Sequence, residues 1–153
     1  MRLVISLAAV ALAFLTGAAD AVTKAAQTPC FCQKDPSFEK DGANYCAPTA
    51  VSDGLIYLAR ARNLVGLVPG TDHAGQVQLI KALAEHMETD PDDGTPPGRV
   101  IEGLESYVEA RGYKLRQLEV ATWRPVGDHA KIAAKPDLDW MRKVAAAPDT
   151  VVM

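Results

Sequence analysis

The chain has no basic excess. Sixteen Lys and Arg against nineteen Asp and Glu give a formal net charge of -3 over 153 residues. No positive field is available to hold a nucleic-acid backbone, which argues against that class of partner. No apolar run is long enough for a membrane span either. The longest, Leu3 to Leu15, falls short of the roughly 18 residues that a crossing helix needs. Internal repeats and low-complexity segments are also lacking. Histidine and cysteine are scarce, with three of each, so each candidate for acid–base or thiol chemistry can be weighed singly.

What is present is ordinary for a globular domain: 48% apolar residues and 23% charged. The first residues form a three-part targeting pattern. Met1-Arg2 is a short basic start, Leu3 to Leu15 is apolar, and Ala19 and Ala21 make an A-x-A site. Residues 1–21 therefore read as a secretory signal peptide, cleaved after Ala21. The expected location is secreted or periplasmic, with no membrane attachment after cleavage. No cysteine stands at the cleavage site to carry a lipid. Residues 22–43 read as a loop-rich lead-in, and residues 44–153 as one domain.

Within the lead-in lies Cys30-Phe31-Cys32. Outside the cytosol thiols tend to oxidise, and three cysteines is an odd number. A one-residue gap fits the geometry of a mutual disulfide poorly. A bond from Cys30 or Cys32 to another cysteine and a pair of half-buried structural thiols both remain open. Metal binding needs further ligands, and no nearby histidine completes a set. No cofactor is expected.

Helical spacing begins at Cys46. Ala47, Ala50, Val51, Gly54, Leu55, Leu58 and Ala61 recur every three or four residues, and Pro48 falls in the first turn, where it removes no intrahelical bond. The helix is expected to end near Asn63. A second follows from about Ala74 to Glu88, capped by Thr71 or Asp72, with Val77, Ile80, Leu83, Ala84 and Met87 inward. Asp90 to Gly98 is dense in breakers and reads as a solvated turn. Its aspartates lack the spacing and closing glutamate of a calcium loop. A third helix is predicted over Arg99 to Arg111, with Val100, Ile101, Leu104, Tyr107 and Val108 inward and Gly112 as its stop. Tyr113 to Val120 has the composition of a strand. Pro136-Asp137 opens a short helix that buries Leu138, Met141, Val144 and Ala145, and Thr150 to Met153 begins another strand.

Cys46 sits at the first helical residue, where unpaired N–H groups and the macrodipole favour a thiolate. A nucleophile there needs a base, a group that orients the base, and an oxyanion donor. His86 falls off the inward stripe of the second helix and is expected in solvent. His73 lies at that helix's start, as a cap or exposed. His129, 83 residues after Cys46, is the candidate base at a suitable separation, although its Gly127–Lys131 surroundings read as a loop.

Tyr45-Cys46-Ala47-Pro48-Thr49-Ala50, running into Leu55-Ile56-Tyr57-Leu58, resembles the cysteine helix of the C39-like, papain-fold peptidases. The match covers residues 44–61 best, and it departs at Ala47, where members tend to carry glycine. The resemblance implies an α+β fold, a helical half packed against the first strands of an antiparallel sheet. It implies a thiol hydrolase acting on a peptide or protein substrate, with Cys46 as nucleophile. It further implies a glutamine as oxyanion donor, for which Gln33 is the candidate if Lys34 to Ala43 forms an intervening loop. In that family the histidine follows a strand such as Thr150 to Met153, so the base would lie beyond Met153 and the chain would be the N-terminal part of the enzyme. The alternative is a non-catalytic secreted relative that binds peptide or protein. A third reading joins Cys30 or Cys32 to Cys46 by a disulfide, which would abolish thiol chemistry.

Overall fold

A computed structural model describes residues 26–118 and 137–147. Their elements are a one-turn 3-10 segment, Glu39–Gly42, and four α-helices: α1 (Cys46–Arg62), α2 (His73–His86), α3 (Pro97–Ala110) and α4 (Leu138–Ala146). The helix starts and stops follow local chemistry. Asp72 caps α2 by accepting the Gly75 N–H at 2.9 Å, and Asp137 caps α4 by accepting that of Trp140 at 2.7 Å. Asn63 closes α1 in the left-handed region, and Gly112 follows α3 at φ 80°.

The middle helix organises the rest, because α2 packs against both α1 and α3. Val51, Leu55, Ile56, Leu79, Leu83, Met87, Leu104 and Tyr107 form the main core between the three. A smaller cluster of Phe38, Tyr45, Ile80 and Ala84 lies beside it, with Phe31 and Val77 against it. That second cluster fastens the lead-in and Tyr45, just before α1, to α2.

The expected α+β, papain-like architecture is not what forms. Among the described residues the fold is all-helical, and strand pairing is limited to one isolated antiparallel bridge, Asp90 to Gly94. Tyr113–Leu118, the described part of the expected Tyr113–Val120 strand, is irregular. A strand exists only through its neighbours, and here the apolar side chains find helices instead. Leu115 and Leu118 pack on the main core, while the Tyr113 hydroxyl donates to the Val65 carbonyl at 2.9 Å. The strand expected at Thr150 to Met153, and the signal peptide over 1–21, lie outside the described residues.

Two helical faces also differ from the spacing. In α1, Ala50 is exposed, whereas Thr49 and Ser52 are buried. Gly54 to Tyr57 are buried all round, because the helix is covered on more than one side. On α4 none of the expected inward residues is fully buried, and Leu138 and Met141 are exposed.

Candidate functional site

Cys46 is the first residue of α1 and is exposed. No side chain caps this helix end. Pro48 carries no N–H, and the Thr49 N–H already donates to the Tyr45 carbonyl at 3.1 Å. The first-turn N–H groups left without a backbone acceptor are therefore those of Cys46 and Ala47.

The turn leading into Cys46 is strained. Lys40, Asp41 and Gly42 take φ of 50°, 52° and 71° in succession. For the two that are not glycine, this region costs on the order of 1 kcal/mol each. Gly42 is required on a second ground, since a Cβ there would lie 1.8 Å from the Gln33 carbonyl oxygen. The close approach brings Gln33 back across nine residues. Its Nε2 donates to the carbonyl of Gly42 at 3.2 Å and to that of Ala43 at 2.9 Å. The loop from Lys34 to Ala43 thus folds the Gln33 carboxamide against the segment that delivers Cys46, with both amide protons engaged.

The strap around Gln33 is fixed further along α1. The Phe31 N–H bonds to the Asp53 carboxylate, and so does the carboxamide of Gln76, which also donates to Ser52 Oγ at 3.1 Å. Ser52 donates in turn to the Thr49 carbonyl at 2.7 Å. Burial raises the Asp53 carboxyl above its ordinary range, against the opposing hydrogen bonds from Gln76 and Phe31. The Thr49 hydroxyl is fully buried with no hydrogen-bond partner. Burial under its neighbours also raises the Tyr45 phenol, with the charge of Glu39 adding to the effect. Along the strap, Phe31, Gln33 and Asp35 are partly covered whereas Cys30, Cys32 and Lys34 are exposed, the alternation of an extended segment lying on a surface.

All three cysteines are free thiols. Neither described histidine meets Cys46. His73 Nε2 lies 3.2 Å from Asp35 Oδ2 and its ring 5.0 Å from that of Phe31. From there the rings of Phe31 and Phe38 (6.4 Å apart), then Phe38 and Tyr45 (5.1 Å apart), lead toward Cys46. The Asp35 carboxyl is held below its ordinary range, by hydrogen bonds from Ser37 first and by His73 after them. His86, expected in solvent, is instead half-buried; its Nδ1 is 2.9 Å from Ser106 Oγ, and its ring stands edge-on to Tyr107. His129 lies outside the described residues. Among those described, no group of three or more His, Cys, Asp or Glu could hold a metal ion, and no helix is long and apolar enough to cross a membrane. Asp90 uses its Oδ1 to accept the N–H groups of Asp92 and Asp93.

The residues that sequence reasoning missed are Gln76, Ser52 and Asp53. Gln76 carried a readable signal. It stands three and four residues before Leu79 and Ile80, on the stripe's own spacing, so a buried amide there required partners. No protein-family model matches this chain, and neither a curated protein nor a solved structure matches it.

Proposed function

We propose that this chain is an exported thiol hydrolase, with Cys46 as the nucleophile toward a peptide or amide carbonyl. The observation that carries the reading is the return of Gln33. Its carboxamide folds onto Gly42 and Ala43, immediately before an exposed cysteine at an uncapped helix start. The resemblance of Asn44 to Ala50 to the C39-like peptidases supports the same reading, as does the strained turn before it, since such strain concentrates at active sites. In the reaction, Cys46 sulfur attacks the carbonyl carbon. The oxyanion is received by the Cys46 N–H and by the Gln33 amide, once one of its protons leaves a backbone carbonyl. A histidine takes the thiol proton and returns it to the leaving amine. His73 and His86 are engaged elsewhere, which leaves His129 among this chain's three histidines for that role.

A second reading is a secreted peptide- or protein-binding relative without catalysis. It is favoured by the engagement of both Gln33 protons with the backbone.

Iodoacetamide labelling near pH 6, resolved by peptide mass spectrometry, separates the two. Cys46 is expected to label at least tenfold faster than Cys30 or Cys32. Equal rates for the three, or a Cys46 already bonded to another cysteine, would sink the hydrolase reading.

A further inference from the structure

The strained turn before Cys46 is gripped from two sides. Gln33 holds one. The other is held from the α2–α3 connection, 47 and 48 residues downstream of Asn44. Asn44, two residues before Cys46, donates from Nδ2 to the carbonyls of Pro91 and Asp92 at 2.9 and 2.6 Å. Lys40, itself in the left-handed region, pairs with the Asp92 carboxylate. Gly94 backs against Asn44, where a Cβ would lie 3.7 Å from the Asn44 carbonyl oxygen.

The receiving turn is built to hold its shape. Asp90 Oδ1 accepts from the N–H of Asp92 at 2.6 Å and of Asp93 at 3.1 Å. Asp90 and Gly94 also exchange both backbone hydrogen bonds, at 3.0 and 2.8 Å. These bonds hold the Asp90 carboxyl below its ordinary range, the Asp92 N–H first and the Asp93 N–H second. Two left-handed non-glycine residues persist only where surrounding contacts over-determine them. Here those contacts come from Gln33, Asn44 and Lys40.

We infer that Asn44 is a positioning residue for Cys46, and that the Asp90–Gly94 turn is its anchor. Through Asn44 the turn fixes the backbone from Asn44 to Ala47, and with it the aim of the Cys46 and Ala47 N–H groups at the sulfur and at the oxyanion. The inference rests on Cys46 being the nucleophile. It assigns the α2–α3 turn to the thiol site, although nothing in that turn touches the reacting atoms.

The test is iodoacetamide labelling of the full chain carrying Cys30→Ser and Cys32→Ser, at pH 6 and at pH 8.5, with thermal melts to verify folding. Asn44→Ala and Asp90→Ala are each expected to slow Cys46 labelling at pH 6 by about three- to tenfold, with a much smaller change at pH 8.5. Asp90→Asn should label like the parent, because its Oδ1 still accepts both N–H bonds. Direction separates this from a simple charge effect. Removing a carboxylate near a thiol favours the thiolate and speeds labelling at pH 6, whereas loss of positioning slows it. If Asn44→Ala does not fold, Asp90→Ala on its exposed turn decides alone.

Unchanged or faster labelling in Asp90→Ala, with the parent's Cys46 still faster than in the urea-denatured chain, overturns the inference and leaves the hydrolase reading intact. A parent Cys46 no faster at pH 6 than in the denatured chain overturns both.

Discussion

One turn into α1 the Thr49 hydroxyl is buried without a partner. An orphaned hydroxyl keeps its desolvation cost and returns nothing for it. Thr49→Val keeps the shape and removes the hydroxyl. It should therefore stabilise the chain by about 1 kcal/mol, seen as a rise of a few degrees in the thermal midpoint. A fall would mean that the hydroxyl has a partner in solution. The same residue shows what was legible at this scale. Pro48 and the apolar spacing after it placed Cys46 at a helix start, and that is where it is. The spacing assigned Ala50 to the buried face and passed over Thr49, because it reads only hydrophobicity. Ser52 is buried for another reason: Gln76 of α2 needs hydroxyl and carboxylate partners on that side of α1, and finds them in Ser52 and Asp53. Gln33 was legible as a residue type and not as a place. Its position depends on three left-handed residues in a row and on a glycine at Gly42, which no periodicity reports.

Among the elements, helices announced by caps and breakers formed within two residues of expectation, whereas the strand of Tyr113 to Val120 did not form in its described part. A cap is local, one side chain and one N–H, and so is written in the sequence. A strand is a relation between two segments, and Leu115 and Leu118 found the helical core instead. The crossing of α2 and α3 is a relation of the same kind, and it rests on Gly103. A Cβ at that position would lie 2.5 Å from Met87 Cγ, 2.7 Å from Met87 Cα and 2.8 Å from the His86 carbonyl oxygen. Two of these are backbone atoms that cannot rotate away. Gly103→Ala should destabilise the chain by about 1–3 kcal/mol in urea titration, since overpacking forces the helices apart. A loss no larger than that of Gly66→Ala, an open position that is costly only for its φ of 82°, would show that the helices do not cross this closely in solution.

For the molecule as a whole, three carboxylates hold the connecting segments in shape or to the helices, and their shifts oppose one another. Asp35 and Asp90 lie below the ordinary range, through the hydrogen bonds of Ser37 and of Asp92 respectively. Their contribution is present above the unfolded value of about 3.9 and is lost as pH falls through the lower folded values. Asp53 has the reverse sign. Burial raises it, more than the hydrogen bonds of Gln76 and Phe31 lower it. Its contribution is therefore full below the unfolded value and is lost as pH rises through the folded one. Neutral pH thus keeps a charged carboxylate in the joint between α1, α2 and the Gln33 strap. Asp53→Asn removes that charge at every pH. The difference in thermal midpoint between Asp53→Asn and the parent should then be most favourable to the variant near pH 7, and should shrink as pH is lowered and the parent's Asp53 takes up its proton. Subtracting the parent's curve cancels Asp35 and Asp90, which both proteins share, and any constant effect of the amide moves the difference without tilting it. A difference that stays flat with pH would mean that Asp53 titrates alike in the folded and unfolded chains, and that burial does not govern the joint on which the Gln33 strap is hung.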